Sequence, residues 1–416
     1  MIAFKNAQKD FLQLLFFVAL ALSVTAQAQG EPSSKQISDN YFCMHVHSHQ
    51  NYEKAFSQVP FGILRTWDSS IGWPQIEPEN NKWNWELLDK YVRLAREKNI
   101  RLIMTLGMTP RWAAKNPDAP SPYGGEWSSS PPRNLADWQD LIRKVAERNE
   151  RLYGGAIRYW EIWNEPDNFQ AGYEFYTGTV EELVNMARAA HAILKEVNPD
   201  NLIVSPGITQ VGQGWLDRFL KSGGRNYTDI IGFHFYWEWF TQSLSDFETT
   251  ITSMKKVIEQ NGCADKPIWV TETGFNVNYF KTADKRNMAL TTMIIAPRYY
   301  GADVVCAYSW NSSVFTNMYD SGKQKPTETS VAYIELHKWL NGAVIADLRR
   351  GKANSRVCTL EKNGRTARIV WRYGAGKIMY RIDDAWGEHI YNLDGTNSPI
   401  TASRTINLGN SPILIR

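Results

Sequence analysis

Short apolar runs recur along the chain, separated by stretches in which apolar residues return at helical spacing. The runs are "YFCMHVH" (41–47), "FGILRTW" (61–67), "IRLIMTL" (100–106), "IRYWEIW" (157–163), "NLIVSP" (201–206), "DIIGFHFYW" (229–237), "PIWVTET" (267–273) and "DVVCAYSW" (303–310). Between them, residues 85–99, 135–153, 180–198 and 244–262 carry amphipathic helical patterns. Continuous apolar strands alternating with helices are the mark of parallel βα units buried on both faces. Eight such units predict an α/β fold, a closed (β/α)₈ TIM barrel. An open doubly wound sheet is the alternative. It calls for a Gly-rich phosphate turn after the first strand, and the sequence has none there.

After about residue 345 the period changes from helical to two. "SRVCTLEKNGRTARIVWRYGAGKIMYRIDDAWG" alternates apolar and polar residues around Asn363-Gly364, a hairpin signal. Residues 346–416 are therefore expected to form a small β-sandwich-like accessory domain, with the barrel over residues 29–345. Long stretches rich in Pro and Gly, at 109–134 and around 166–178, follow the third and fourth strands. Loops in that position build the active face of a barrel.

The N-terminus stands apart. Lys5 and Lys9 precede the apolar run 11–24, and small residues follow at Ala26 and Ala28. This is the pattern of a signal peptide over residues 1–28, with a secreted or periplasmic product. The run falls short of the ~20 residues a membrane span needs, so stable membrane insertion is not expected. The net charge of +3 is spread without a basic block, which argues against a nucleic-acid partner. Four Cys (Cys43, Cys263, Cys306, Cys358) show no metal-finger spacing, and spacing alone does not pair them. No cofactor is called for, and the chain is expected to act as a monomer.

Two carboxylates fall at strand tips. Glu165 closes the fourth strand in "WEIWNEP", where Pro166 stops the strand, and Glu272 closes the seventh in "WVTETGF". Both sit at the C-terminal end, where barrel enzymes keep their chemistry. Opposed carboxylates there suit retaining glycoside hydrolysis, one a protonated acid and the other an ionised nucleophile. Asn164 could donate to the sugar hydroxyl beside the reacting carbon. A lone Glu is more often a surface ion-pair partner, so the weight rests on the combination.

That combination resembles clan A of the glycoside hydrolases, closest to family 39 and its exopolysaccharide-cleaving endoglycosidase relatives, over residues 40 to 340. The resemblance implies Glu165 as acid/base and Glu272 as nucleophile. It implies that Arg65 in "LRTWD" holds Glu272 ionised and that Tyr236, paired with His234 in "FHFYW", orients it. It also implies that Trp310 in "AYSWN" floors the sugar subsite. His45 and His47 share a face of the first strand and would line that subsite; a metal pair is the lesser alternative, and no metal is assigned. Trp67 and Asp68 continue the second strand into the mouth, as a stacking ring and a hydroxyl acceptor. Trp112, Trp127, Trp237 and Trp239 are candidate stacking platforms among 17 Trp.

The expected function is a retaining hydrolase that cleaves a polysaccharide or oligosaccharide by double displacement, endo-acting on an exopolysaccharide. The alternatives are an exo-acting, β-xylosidase-like glycosidase and a non-catalytic carbohydrate-binding barrel. A metal-dependent hydrolase would need more His at strand tips than the 7 His of this chain supply.

Overall fold

A computed structural model describes residues 34–47, 52–123, 125, 127–169, 172–237 and 244–416. The signal-peptide reading over residues 1–28 and Trp239 lie outside the described residues. Eight parallel strands form the barrel: β1 (Phe42–His45), β2 (Ile63–Arg65), β3 (Arg101–Leu106), β4 (Ile157–Ile162), β5 (Leu202–Val204), β6 (Ile231–Tyr236), β7 (Ile268–Gly274) and β8 (Val304–Ala307). Hydrogen-bonded neighbours run β5-β4-β3-β2-β1-β8-β7-β6. The single bridges Val204↔Ile230 and Ile208↔Phe233 join β5 to β6 and close the ring.

The predicted helices form as α1 (Glu86–Glu97), α2 (Leu135–Tyr153) and α3 (Val180–Val197), with α5 (Leu244–Gln260) further on. Three more lie between and after them: α4 (Gln213–Lys221), α6 (Ala283–Tyr299) and α7 (Glu328–Leu340). Local chemistry sets their ends. Thr179 and Glu182 form a reciprocal capping box at the start of α3, and Gly154 takes the left-handed conformation that ends α2.

Strand parity sorts side chains between two cores. Outward residues such as Phe233 and Phe235 pack on Phe247 of α5. Inward residues fill the barrel in layers fixed by register. Cys43 pairs with Ile63 and His45 with Arg65. Ile103 pairs with Tyr159, and Thr105 with Glu161. The lower layer is thus apolar (Cys43, Ile63, Ile103, Tyr159, joined by Trp269 and Cys306), and the next layer up is polar. A barrel plugged below by apolar side chains leaves its polar groups only one outlet, the C-terminal mouth.

Cys43 and Cys306 form a disulfide between adjacent strands β1 and β8, while Cys263 and Cys358 are buried free thiols. The spacing of the four cysteines carried no information on this pairing; the parallel register does, because it sets Cys43 opposite Cys306.

The C-terminal region is an antiparallel sheet of six strands, β9 (Val344–Arg350), β10 (Ser355–Lys362), β11 (Arg365–Arg372), β13 (His389–Asn392), β14 (Asn397–Pro399) and β16 (Ile413–Ile415), in the order β9-β10-β11-β16-β13-β14. A separate pair, β12 (Ile378–Arg381) and β15 (Thr405–Leu408), covers part of it. The Asn363-Gly364 turn joins β10 to β11, both residues at positive φ as a tight hairpin of this kind requires. Alternation along the sheet serves two cores: Val357 and Val370 face the strand pair, and Cys358, Ile369 and Trp371 join the main core under α6. Sheet and barrel belong to one compact unit, Ser33–Arg416. Among the described residues no helix is long and apolar enough to cross a membrane.

Candidate active site

The barrel mouth opens into a cavity of about 580 Å³. Its floor is built by residues that three features bring inward.

The first is the end of β4. Trp163 and Glu165 both have positive φ, +74° and +42°, a conformation that costs a side-chain-bearing residue free energy and needs support from its surroundings. The support is visible. Trp163 N–H donates to Leu106 O and its indole Nε1 to Phe175 O, at 2.9 and 2.8 Å. Glu165 N–H donates to Gly207 O at 2.7 Å. The strand therefore ends in a fixed turn that swings the Glu165 carboxyl over the barrel, and Pro166 follows it.

The second is a slip in register on β7. Phe233 pairs with Val270, but the next residue, His234, pairs with Glu272. The extra residue, Thr271, is a bulge, and bulges re-aim the side chains that follow them. Strict alternation from the inward-facing Trp269 would turn Glu272 outward; the slip turns it into the mouth.

The third is Arg65, fully buried in the polar layer. Its Nε donates to Glu161 Oε2 at 2.7 Å, Nη1 to Glu272 Oε2 at 2.9 Å and Nη2 to Asn164 Oδ1 at 2.7 Å. Thr105 Oγ1 also donates to Glu161 Oε2, at 2.7 Å. One guanidinium thus fixes three side chains from two strands, a fork geometry that Lys lacks. Because Asn164 accepts through Oδ1, its Nδ2 is the group left to donate into the cavity.

An oxygen of Glu165, an oxygen of Glu272 and a ring nitrogen of His234 all lie within 4.8 Å of one another. The two carboxyls have unlike surroundings. Glu272 accepts from Tyr236 Oη at 2.5 Å as well as from Arg65. Glu165 has Asn168 Nδ2 at 3.0 Å and His234 Nδ1 at 2.8 Å. Burial pushes the Glu165 carboxyl above the usual carboxylate range, against a weaker downward pull from Asn168 and Arg65. Burial acts on Glu272 in the same direction, while His234 and Arg65 oppose it and Glu165 adds repulsion. Two carboxyls this close hold one proton between them at intermediate pH. The direct guanidinium and phenol bonds to Glu272 leave that proton on Glu165. Burial lowers His234 to about 4, so the ring is neutral. Its Nε2 is buried without a protein hydrogen bond, so no second bond pins its tautomer, and Nδ1 can face either state of Glu165. The same trio is close enough to hold a metal ion, but its inner oxygens are already occupied by Arg65, Tyr236 and His234.

Gly207 lies against this group. A Cβ there would stand 2.5 Å from His234 Nε2 and 3.0 Å from Glu161 Oε1, both buried. Gly207→Ala must displace the ring that contacts Glu165. It is expected to cost about 1–3 kcal/mol of stability, as overpacked sites do, and at least ~10-fold in kcat/KM as His234 moves. Thermal melts and kinetics check this; a variant unchanged in both would show that the contact yields freely.

Of the residues singled out in the sequence, Glu165, Glu272, Asn164, Trp67, His234 and Tyr236 line the cavity, and Arg65 lies directly beneath. The expectations for six residues need correction. Trp310 does not floor the subsite. It is fully buried, its ring stacked on Tyr319 at 4.4 Å and its backbone N–H donating to His45 O. Tyr308, two residues earlier, takes that place in the cavity wall. His45 points inward at the level of Arg65, but Tyr308 roofs it, with ring centroids 5.1 Å apart, and its Nε2 bonds Thr271 O at 3.0 Å. His47 is half-buried, exchanges backbone bonds with the Asn311 amide and also packs on Tyr308. Both His pack on Tyr308, His45 also holds the β7 bulge, and neither lines the cavity. Trp112 and Trp237 are likewise structural: Trp112 Nε1 donates to Glu77 O, and Trp237 packs on Phe247. Trp127 packs on Tyr123 behind the wall. The rim rings are Tyr123, Phe169 and Tyr173, all exposed.

Residues 137–332 match the family model described as glycosyl hydrolase catalytic core. That match spans a little under half of the chain, and match and fold together support an O-glycosidase. In fold the chain is similar to solved enzymes of glycoside hydrolase families 39 and 30. The chain superposes on the GH39 enzyme from Xanthomonas axonopodis pv. citri with a TM-score of 0.66 at 14% identity, covering 93% of this chain and 95% of that one. It superposes on a glycoside hydrolase family 30 subfamily 8 xylanase from Clostridium acetobutylicum with a TM-score of 0.63 at 15% identity, covering 92% and 96%. At these identities the likeness establishes a shared fold. In sequence, 122 residues are 25% identical to a protein named beta-xylosidase from Caldicellulosiruptor saccharolyticus, spanning 29% of this chain and 24% of that relative.

Proposed function

We propose that the protein is a retaining glycoside hydrolase that cleaves within polysaccharide chains by double displacement. The observation that carries this is the pair Glu165 and Glu272, within 4.8 Å on one cavity floor and differently bonded. Retaining enzymes keep their carboxyls ~5–5.5 Å apart, and inverting ones leave room for a water at ~6.5–9.5 Å. In the first step Glu165 gives its proton to the glycosidic oxygen as the bond to the anomeric carbon breaks, and a Glu272 oxygen bonds that carbon. In the second, water attacks the same carbon, Glu165 takes the water's proton, and the bond to Glu272 breaks. Arg65 and Tyr236 hold Glu272 for attack, and Asn164 Nδ2 donates to the neighbouring hydroxyl.

Endo action is supported by the rim. Phe169 and Tyr173 from the loop after β4 and Tyr123 from the loop after β3 expose their rings around the mouth, giving successive sugars stacking surfaces beyond the scissile bond. Export is supported by the leader pattern and by the Cys43–Cys306 disulfide, a bond that persists in oxidising compartments. Proton magnetic resonance of a digest tests the mechanism. The first-formed reducing end should keep the anomeric configuration of the cleaved bond; an inverted product would refute double displacement. A product ladder is expected in place of terminal sugars released singly.

A further inference from the structure

We infer that the sugar seated over Glu165 and Glu272 carries no anionic group, and that Asp68 selects for this by accepting that sugar's hydroxyls. The inference rests on the hydrolase reading above and narrows its substrate class.

Among the described residues the cavity wall contains four carboxyl side chains, Asp68, Glu165, Asp167 and Glu272, and no Lys or Arg. The one guanidinium nearby, Arg65, is fully buried and donates all three of its nitrogens to protein oxygens. His234 is neutral, as shown above. Cations on the neighbouring loops are engaged elsewhere: Arg111 with Asp118, Lys115 with Glu182 and Lys54 with the Tyr319 hydroxyl. The internal residues outside the description, 48–51, 124, 126, 170, 171 and 238–243, include neither Lys nor Arg in the sequence. A carboxylate, sulfate or phosphate on the bound sugar would thus meet carboxylates without a counter-charge, in a dry site where Coulomb repulsion is strong.

Asp68 follows Trp67 at the end of β2 and takes no part in the two displacement steps. Its Oδ1 accepts from Tyr123 Oη at 3.3 Å, and Tyr123 Oη is itself held by Trp67 Nε1 at 2.6 Å. Its Oδ2 is buried with the Tyr308 hydroxyl beside it but no hydrogen bond of full geometry. A buried carboxylate oxygen with lone pairs to spare is costly, and a sugar hydroxyl entering the cavity can donate to it. Burial, only partly offset by Arg65, raises Asp68 to about 6, so at neutral pH it is mainly the acceptor-only carboxylate.

Matched substrate pairs that differ only at the exocyclic carbon test this. One set is para-nitrophenyl glucoside with glucuronide and galactoside with galacturonide, in both anomers. The other is uronate polymers before and after carboxyl reduction. For every pair in which either member is cleaved, the uncharged member should be favoured by at least ~100-fold in kcat/KM, or in initial rate for polymers. Asp68→Asn, checked for folding by circular dichroism, should shrink that preference at least tenfold. A uronate cleaved as well as its uncharged partner would overturn the inference and leave the hydrolase reading standing. A folded Asp68→Asn with undiminished preference would overturn the role of Asp68. If neither member of any pair is cleaved, the same polymer pairs are bound to Glu272→Gln by calorimetry, where a uronate polymer bound as tightly as its reduced partner overturns the inference and tighter binding of the reduced partner supports it.

Discussion

Glu272→Gln lowers kcat by about 10⁴-fold or more, the scale of loss when a nucleophile is removed, while substrate binding stays within about threefold. The amide has nearly the shape of the carboxylate. Its carbonyl can still accept from Arg65 Nη1, and its NH₂ can donate to Tyr236 Oη, now turned to accept. What is lost is the charge that bonds the anomeric carbon. Arg65 loses one charged partner but keeps Glu161 and Asn164, and the amide still accepts its third bond, so the variant should melt within a few degrees of the parent. Three readings bear on one residue: turnover, binding by calorimetry and the melting temperature. A variant that keeps a tenth of its turnover ends the assignment of Glu272. A variant that loses turnover together with ten or more degrees of melting temperature has lost structure, and its kinetics then say nothing about a nucleophile.

The barrel was legible because its strands are buried on both faces and so appear as unbroken apolar runs; all eight form where those runs lie. Helices with one wet face were legible for the same reason. α6 was not. It is clamped between the barrel and the C-terminal sheet, and from Met288 to Tyr299 every residue is buried. A helix buried all round has no stripe to find. α7 keeps an exposed side at Glu328, Val331 and Lys338, but polar residues blur its buried face, where Thr329, Ser330 and His337 lie buried with Ala332, Tyr333, Leu336 and Leu340.

The site divides similarly. Glu165 and Glu272 were legible from their position at strand ends, and His234 with Tyr236 from period-two spacing. Glu161 was passed over, although a Glu inside an apolar strand two residues from another inward position was the available signal. It carries one bond of the Arg65 fork. The expectation for Trp310 rests on the resemblance of "AYSWN", and nothing in the sequence shows that its ring seats on Tyr319 while Tyr308 lines the cavity. His45 looked like a subsite residue because one strand shows which way a side chain points but not what roofs it. Gly207 carries no local signal; its role exists only where β4 and β6 converge.

Glu165→Gln gives the second large effect and the sharper diagnosis, because it depends on the leaving group. With natural sugars as leaving groups, loss of the general acid is expected to cost about 10²–10⁴-fold in kcat/KM. With activated aryl glycosides the leaving oxygen needs no proton, so the first step should slow by less than about tenfold. The second step still lacks its base. The glycosyl-enzyme on Glu272 should therefore accumulate, with a burst of phenol followed by slow release. The pH profile separates this from mere disruption. In the native protein, activity falls on the alkaline side as Glu165, raised by burial, loses its proton, and on the acid side as Glu272 gains one. Gln cannot ionise, so the alkaline limb should vanish for activated substrates. Glu272 ionises while Glu165 is still protonated and neutral, so a neutral Gln leaves its titration nearly unchanged, and the acid limb should stay in place. Retention of the alkaline limb, or equal losses on good and poor leaving groups, would assign the acid to another residue. The cavity wall offers two further carboxyls for that role, Asp68 and Asp167. Asp167 is turned away to bond the Thr209 N–H and hydroxyl. Asp68 would then be the residue to test, and its use as the acid would contradict its assignment as a hydroxyl acceptor, so this one profile bears on both.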